Sequence, residues 1–307
     1  MKSWILINEN KRNSYSTKRF EESAKICGLR PKIVIPRAFD IIATKAGDKS
    51  IRYKGKQIEI PDCIIPRMGS GTTYFALAVI RHLEKQGVLI LNSSLSIETA
   101  KDKLATMQIL AANNIPIPKT MLAKFPLNIE LVEQEFHYPL VLKTVSGSHG
   151  KGVFFCENKS QLKDIADLME VSKDSKVNVI IQEFVLSSRG KDIRVLVIGG
   201  RPIGAMVRIA KKDSYKANFS TGGAVKPFEM NPTIEWLAVE SVSLLGLDIA
   251  GVDILFNNDS YSICEINSSP EFEGFEKATG IDVPSEIYQY LRVRLRPGEE
   301  QIGKVTI

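Results

Sequence analysis

The sequence is poor in the side chains that most nucleophilic and metal-binding motifs use. Among 307 residues there are four cysteines and three histidines, and no two cysteines are spaced as Cys-x-x-Cys. We interpret the cysteines as small apolar side chains of a protein in a reducing compartment. His149 has no second histidine nearby, so we interpret it as a loop residue. A catalytic function would therefore depend on other residue types.

Long apolar runs, internal repeats and low-complexity tracts are also missing. The N-terminal apolar run covers only Trp4 to Ile7 before polar residues resume. Such a run is too short for a signal peptide or a membrane span. We therefore expect a soluble cytoplasmic protein that has no membrane partner.

The charge balance is basic, but the basic residues are scattered. The chain has 41 lysines and arginines against 35 acidic residues, a net charge of +6. Clusters such as Lys211-Lys212 are short, and the interleaving of aromatic and basic residues that single-strand binders use is not found. A pocket for anionic substrates explains the excess at least as well as nucleic acid does. A basic nucleic-acid-binding protein is the alternative from a different functional class.

We expect the chain to form four parts and to have the fold classes α/β and α+β. Strands alternate with helices over residues 1–95, which favours an open, largely parallel α/β domain. A second lobe is expected over residues 96–186, beginning with a helix that Ser96 caps and that continues through Leu110. A third lobe covers residues 187–295, and the remainder, 296–307, is interpreted as a polar tail.

The third lobe contains the stretch that most strongly indicates chemistry. Two apolar runs flank the polar turn at 257–260 and predict a β-hairpin. Folding about Asp259 brings Asp253 opposite Glu265, and Asn267 shares a strand face with Glu265. Two facing carboxylates repel each other, so these three oxygen donors predict a Mg²⁺ site. The alternative is a polar hairpin whose carboxylates point to solvent.

A glycine-rich loop lies between two predicted strands of the second lobe, at Ser146 to Gly152. Because a strand and not a helix follows it, the Walker and Rossmann motifs are excluded. We interpret it as a flap that closes over phosphates, with a flexible hairpin tip as the alternative. Lys143 ends an apolar strand just before the loop, and its ammonium needs a phosphate or a structural carboxylate. The residues assigned to nucleotide binding here are Lys143, Gly147, Ser148, Gly150 and Gly152.

The next strand ends in a segment suited to a nucleotide base and ribose. The segment Gln182-Glu183-Phe184-Val185-Leu186 can offer backbone groups to an adenine edge, and Asp192 can accept ribose hydroxyl groups. Arg194 and Arg208 are placed on one side of two successive strands, where guanidinium groups suit phosphate or acyl-phosphate oxygens. The alternative is a surface ion pair between Asp192 and Arg194.

Two polar segments could line the remainder of the site. The segment 218–223 is either a simple turn or a polar loop that places Asn218 near the nucleotide. The segment Ser268 to Gly274 follows Asn267 directly. It is therefore a candidate wall of the acceptor pocket.

Together these motifs resemble the ATP-grasp superfamily and, within it, the RimK-like glutamate ligases. The resemblance rests on the order of Lys101-Asp102-Lys103-Leu104, Val141-Leu142-Lys143, the glycine loop, Gln182-Glu183-Phe184, Asp192-Ile193-Arg194, Gly251-Val252-Asp253 and Glu265-Ile266-Asn267-Ser268-Ser269-Pro270. It covers roughly Pro66 to Leu291. Each motif is weak alone, whereas their joint order is specific.

The resemblance implies an ATP-grasp fold preceded by an N-terminal α/β pre-ATP-grasp domain. It implies ATP-dependent carboxylate–amine ligation through an acyl phosphate, with glutamate or a similar amino acid as the amine. At the positions that match the family's motifs, the resemblance implies that Lys103 and Lys143 bind phosphates, Glu183 to Leu186 bind adenine, and Asp192 binds ribose. The metal, Mg²⁺ with Mn²⁺ as an alternative, is held by Asp253, Glu265 and Asn267. Lys143, Arg194 and Arg208 are the predicted catalytic residues, with Arg208 stabilising the tetrahedral oxyanion.

One departure from the family pattern leaves the acceptor open. Members that act on a ribosomal protein carry His-Arg before the paired glycines, where this sequence has Ser220 and Thr221. The acceptor carboxylate can thus belong to a protein C-terminus, a peptide or a small molecule. Related branches act on lysine-biosynthesis carrier proteins, coenzymes and small acidic peptides. The alternative among enzymes is a ligase that joins other partners, such as a D-amino-acid dipeptide. The sequence does not indicate the number of residues added or the oligomeric state, and it allows a homo-oligomer.

Overall fold

The computed structural model describes residues 2–45, 49–145, 152–171, 178–211 and 222–295. The chain forms two compact units. The first contains residues 1–67, 74–91 and 282–307, and the second contains residues 68–73 and 92–281. Each unit is described separately below.

The first unit is built on a parallel sheet, as the alternation of strands and helices predicts. Its elements are β1 (Ser3–Leu6), α1 (Tyr15–Ile26), β2 (Lys32–Val34), β3 (Phe39–Ile41), β4 (Ile51–Tyr53), β5 (Lys56–Gln57), β6 (Cys63–Pro66), α2 (Tyr74–Lys85) and β7 (Leu89–Ile90). The main sheet has the order β2-β1-β6-β7 and all its pairs are parallel. Strands β1 and β6 are buried throughout, which matches their largely apolar sequences.

The last helix that the structure describes belongs to this first unit. Helix α9 covers Val283–Arg294 and follows the elements of the second unit in the sequence. Its Tyr288 is fully buried and donates a hydrogen bond to the backbone oxygen of Phe20 on α1. The sequence division at 187–295 places this helix in the C-terminal lobe, whereas the structure packs it against α1. The periodicity of a helix shows which face is buried but not which element covers it.

The second unit begins with helices and a four-stranded sheet. Its elements are α3 (Ser94–Lys101), α4 (Lys103–Ala112), β8 (Thr120–Leu122), α5 (Ile129–Glu135), β9 (Leu140–Thr144), β10 (Val153–Cys156), α6 (Lys159–Val171) and β11 (Val179–Glu183). The sheet is antiparallel with the order β10-β9-β11-β8. Its apolar side packs on α5 and α6, so the opposite side carries the polar residues of the sheet.

A second, five-stranded antiparallel sheet completes this unit. Its elements are β12 (Lys191–Ile198), β13 (Arg201–Ile209), β14 (Ala224–Phe228), α7 (Pro232–Leu244), β15 (Ile249–Asn257), β16 (Ser260–Asn267) and α8 (Glu273–Thr279). The order is β14-β13-β12-β15-β16. Helices α4 and α7 cover one face through an apolar cluster that includes Val195, Leu237 and Ile254. Polar side chains at alternate positions consequently lie on the other face.

The prediction of a single helix capped by Ser96 is wrong, because the structure contains two helices there. Ser93 caps α3, and Asp102 interrupts the helical path with a ψ of 104°. The Asp102 carboxylate accepts hydrogen bonds from the backbone nitrogens of Leu104 and Ala105, and so caps α4. The break gives the neighbouring lysines different partners: Lys101 Nζ donates to the backbone oxygen of Thr72, and Lys103 approaches Glu265.

Candidate active site

The hairpin formed by β15 and β16 places the predicted metal ligands opposite each other. Its two-residue turn pairs Asn257 with Ser260 and, further along, Ile254 with Ile263. Continuing that register would pair Asp253 with Cys264. A bulge between Asp253 and Ile254 adds one residue to β16 and brings Asp253 opposite Glu265. The pairing predicted from the sequence is therefore present, although the turn is centred half a residue away from Asp259.

Asp253 is buried and is held by two arginines. Arg194 donates from Nε to Oδ1 and from Nη2 to Oδ2, both at 2.7 Å. Arg208 Nη2 lies 3.0 Å from the same Oδ2. Burial acts to raise the pKa of Asp253, but the charges and hydrogen bonds of Arg194 and Arg208 outweigh it and lower that pKa. Both arginines reach one carboxylate from one side of the sheet, as their strand positions predict.

Asp192 is paired with Arg208 and not with Arg194. Arg208 donates from Nε and Nη2 to the two Asp192 oxygens at 2.6 and 2.7 Å. Burial raises the pKa of Asp192 even though the Arg208 charge opposes it. The surface ion pair considered for Asp192 and Arg194 is thus replaced by an alternating chain, Asp192–Arg208–Asp253–Arg194. In this arrangement the carboxylate assigned to ribose binding is occupied by a guanidinium.

The other two predicted metal ligands lie beside this chain. Glu265 has its nearest cation at Lys103, with 3.6 Å between Nζ and Oε1. Asn267 directs Nδ2 toward Asp253 Oδ2 at 3.4 Å. In the parts of the chain that the structure describes, no group of three His, Cys, Asp or Glu side chains is placed to hold a metal. Two carboxylates and one amide do meet here, and this oxygen donor set is suited to Mg²⁺.

Lys143 faces the same region from the other sheet of the second unit. Its Nζ donates to Gln182 Oε1 at 2.5 Å and lies 3.8 Å from the sulfur of Cys264, the residue before Glu265. Gln182 Nε2 in turn donates to Thr120 Oγ1 at 2.9 Å. Lys143 therefore has an amide partner where the sequence suggested a phosphate or a carboxylate. Because Gln182 is buried and its amide is already bonded, its side chain supports Lys143.

The segment after β11 has the mixed exposure expected of a base-binding edge. Glu183 Oε2 accepts from the backbone nitrogen of Lys119 at 3.2 Å. The ring of Phe184 contacts that of Phe155 edge-on, with centroids 4.8 Å apart. Val185 is buried, whereas Leu186 is 61% exposed. The apolar surface of Leu186 is thus open to a partner, which is consistent with the predicted adenine contact.

Comparison with known proteins decides the family. A family model for the RimK-like ATP-grasp domain matches residues 100–291, and one for the RimK PreATP-grasp domain matches residues 1–97. The chain belongs to the RimK-like ATP-grasp family. This membership confirms the predicted fold, with its pre-ATP-grasp domain, and the predicted class of enzyme, an ATP-dependent ligase.

Curated relatives of the same family share the whole length of the chain. A protein of Maridesulfovibrio salexigens named probable alpha-L-glutamate ligase is 36% identical over 96% of this chain and 97% of its own. A protein of the same name from Legionella pneumophila is 35% identical over 92% of this chain and 93% of its own.

Solved structures share the fold at lower sequence identity. The ATP-grasp ligase PsnB, solved with a precursor variant, Mg and ADP, has a TM-score of 0.76 at 19% identity, covering 96% of this chain and 99% of PsnB. The D-alanine–D-alanine ligase of Bacillus anthracis has a TM-score of 0.64 at 18% identity, covering 96% of this chain and 98% of its own.

Part of the predicted RimK-like site lies outside the described residues. These positions are Gly147, Ser148, Gly150 and Asn218, together with Ser220 and Thr221 of the acceptor comparison. The strands on either side of the glycine loop are described, and β9 and β10 pair antiparallel with Lys143 opposite Val153. The predicted strand–loop–strand arrangement is therefore present. No helix in the described ranges is long and apolar enough to span a membrane.

Replacing Gly152 by alanine is expected to destabilise this RimK-like domain. Gly152 has a φ of +74°, and a Cβ there would lie 2.6 Å from Thr144 Oγ1. Such overpacking costs about 1–3 kcal/mol, in addition to the strain of an L residue at positive φ. The control is Gly55→Ala, whose φ is +72° and whose Cβ would meet nothing within 4 Å. Thermal unfolding should show the larger loss for Gly152→Ala, and a second change, Thr144→Ala, should reduce it. Equal losses at both glycines would contradict the contact.

Two residues of the site were not anticipated from the sequence. Thr120 anchors the Gln182 amide and passes the contact on by donating to the backbone oxygen of Pro118 at 2.8 Å. Asn92 bonds to residues at the open end of the hairpin formed by β15 and β16. A polar residue next to a turn has many ordinary explanations, so neither position carries a sequence signal of its own.

Proposed function

We propose that the chain is an ATP-dependent carboxylate–amine ligase that joins glutamate, or a similar amino acid, to a carboxylate through an acyl phosphate. The observation that carries the proposal is the convergence of Lys103, Arg194 and Arg208 on the Asp253–Glu265 pair. Cations and carboxylates arranged around one point are suited to a transferring phosphoryl group. The name alpha-L-glutamate ligase, carried by relatives of full length, supports glutamate as the amine.

The oxygen donors fit a divalent cation. Asp253, Glu265 and Asn267 would hold Mg²⁺, or Mn²⁺ as the alternative, and the ion would neutralise phosphate charge during transfer. Arg194 and Arg208 both bind Asp253 in this structure. They become available to anionic substrate oxygens only when Asp253 has another cation as partner. Arg208 would then face the oxyanion formed when the amine attacks.

The two lysines divide the binding of phosphate oxygens. Lys103 lies on α4 beside Glu265, and Lys143 lies on β9 beside Cys264. They therefore approach neighbouring residues of β16 from two different elements. The Gln182–Thr120 contact holds Lys143 in this position. The backbone of Glu183 to Leu186 would bind adenine, and Asp192 would bind ribose once Arg208 has released it.

Among the residues that the structure describes we assign no covalent nucleophile at this point, which favours a substrate carboxylate as the phosphoryl acceptor. Cys264 is the one thiol near Lys143 among the described residues. Burial raises the pKa of Cys264, so it stays a neutral thiol. A mixed anhydride must be kept from water until an amine arrives. The glycine loop between β9 and β10 is the proposed cover.

Isotope transfer tests the reaction type. With ATP, Mg²⁺, a synthetic peptide that ends in glutamate and carries ¹⁸O in its carboxylates, and no free amino acid, hydroxylamine should trap a hydroxamate. When unlabelled glutamate is added as the amine, one ¹⁸O should appear in the released phosphate, and an amide product should form. Aspartate in place of the amine glutamate is the control for the choice of amino acid. A stable phosphorylated substrate, or label that remains entirely in the product, would replace the ligase proposal with a kinase.

A further inference from the structure

Asn92 is buried to 1% exposure and uses its whole hydrogen-bonding capacity. Its Oδ1 accepts from the backbone nitrogens of Asp248 and Ile249, both at 2.7 Å. Its Nδ2 donates to the backbone oxygens of Ile249 and Ser268, also at 2.7 Å. A primary amide has two donor hydrogens and an oxygen with two lone pairs, so all four positions are occupied.

These bonds reach residues at the ends of β15 and β16, the two strands of the hairpin that carries the proposed metal ligands. Ile249 is the first residue of β15, which carries Asp253. Ser268 follows Asn267, the last residue of β16. Asn92 therefore joins the two strands at their open end, beside the proposed ligands. The turn between β15 and β16 closes the opposite end.

The β15–β16 ladder does not reach this point by itself. Its last pair is Gly251 with Asn267, and beyond it Ile249 and Ala250 pair only with β12. The Asn92 amide supplies the hydrogen bonds that a continued ladder would have supplied. The chain then turns so that Pro270 lies against Gly251, where a Cβ would be 2.7 Å from the proline Cβ. The direction of Asn267 thus depends on bonds that Asn92 makes to the next residue.

We propose that Asn92 is a positioning residue for the metal-binding hairpin. It fixes the spacing of the two strands so that Asp253, Glu265 and Asn267 present their oxygens to one cation. This inference rests on the proposed function, because it assumes the metal site. It adds that the Asn92 side chain, which touches neither metal nor nucleotide, sets the affinity of that site for the metal ion.

The test compares Asn92→Asp with a matched control, Ser96→Ala. Aspartate keeps the shape and the two accepted bonds but cannot donate, so its carboxylate faces two carbonyl oxygens. Ser96 is also buried and donates to the backbone oxygen of Gly246 at 2.7 Å, two residues before Asp248. Loss of that bond removes local stability without touching the hairpin ends. Thermal unfolding by circular dichroism measures the stability cost of each change.

Mn²⁺ binding to the full chain with ADP, followed by electron paramagnetic resonance, is the readout that does not need turnover. We expect Asn92→Asp to raise the Mn²⁺ dissociation constant by about tenfold or more, the range found when residues behind metal ligands are changed. In turnover assays the Mg²⁺ activation constant should rise while the KM for ATP changes little. Ser96→Ala should leave both metal constants within about twofold of wild type.

Several outcomes would overturn the inference. One is unchanged Mn²⁺ affinity in folded Asn92→Asp, and another is an equal loss in Ser96→Ala. If Asn92→Asp does not fold, Asn92→Ser keeps one hydroxyl donor and is judged by the same criteria. Absence of Mn²⁺ binding in wild type would overturn the metal site and this inference together. Metal binding without amide formation would instead overturn only the proposed ligase function.

Discussion

Glu265→Gln is expected to abolish ATP turnover while the protein stays folded. Within the described ranges Glu265 has one ion-pair partner, Lys103 at 3.6 Å, and its side chain is 39% exposed. A pair of this kind contributes about 0–1 kcal/mol to stability, so the fold does not depend on it. The amide removes one of the two negative charges proposed to hold the metal, and ADP release should fall by about a hundredfold or more.

The matched control for this change is Glu135→Gln. Glu135 also pairs with one lysine, Lys119, and is 45% exposed, but it lies on α5. Both variants should unfold within about 1 kcal/mol of wild type. Only Glu265→Gln should lose ADP production and Mn²⁺ binding. Wild-type ADP production by Glu265→Gln would remove Glu265 from the metal site, whereas parallel losses in both variants would indicate a general effect of charge.

Arg208→Met is expected to cause the largest loss of stability among these changes. The Arg208 side chain is 4% exposed and binds Asp192 and Asp253, which are themselves 16% and 7% exposed. Removing one partner of a buried ionic cluster costs about 3–5 kcal/mol, because a buried carboxylate is left without its cation. Asp253 keeps Arg194, so the cost falls mainly on Asp192. Urea unfolding measures it, and turnover should be lost as well.

A compensating change separates the contribution of Arg208 to the stability of the protein from its contribution to turnover. Asp192→Asn combined with Arg208→Met removes the unpaired charge and should recover most of the lost stability, but not the turnover. If the double variant is as unstable as the single one, the packing of Arg208 and not its charge is what matters. Recovery of turnover would contradict a role for either residue at the site.

The pH dependence of Arg208→Met should have a definite sign. Burial already raises the pKa of Asp192 with Arg208 present, and loss of that cation should raise it further. An acid whose pKa is higher in the folded state favours folding when it is protonated. The stability deficit of Arg208→Met should therefore shrink as the pH falls from the raised pKa toward the ordinary aspartate pKa. Unfolding measured at several pH values checks this, and a deficit that grows on acidification would contradict it.

The sequence predicted which side chains of the hairpin face each other, but not the local geometry that brings them together. Alternation placed Asp253, Glu265 and Asn267 on one side, and the repulsion of facing carboxylates indicated a need for cations. The bulge after Asp253 could not be foreseen, because an extra residue in a strand leaves no distinct composition. It alone moves the partner of Asp253 from Cys264 to Glu265. The pairing of Asp253 with Glu265 was therefore predicted from a turn position that differs from the turn in the structure.

Partners between strands were the least predictable part of the site. The sequence placed Arg194 and Arg208 on one face, but which carboxylate each would bind depends on strand order and register. Because β12 lies between β13 and β15, Arg208 can reach both Asp192 and Asp253. The contacts of Asn92 could not be predicted for a similar reason, because its four partner atoms belong to residues more than 150 positions away. Local sequence patterns predict which face of a helix or strand is buried and where the element ends. Contacts between side chains of distant elements depend on the assembled fold.

The return of the last helix to the first unit has a consequence for how the protein is made. Helix α9 supplies Tyr288 beside Phe20 and is capped by Asp282, which accepts a hydrogen bond from Ser23. A nascent chain emerging from the ribosome presents β1, α1 and β6 first, and α9 follows only after more than 200 further residues have been translated. The N-terminal unit is therefore the first to be synthesised and the last to be completed. During that interval the face of α1 around Phe20 stays open to chaperones.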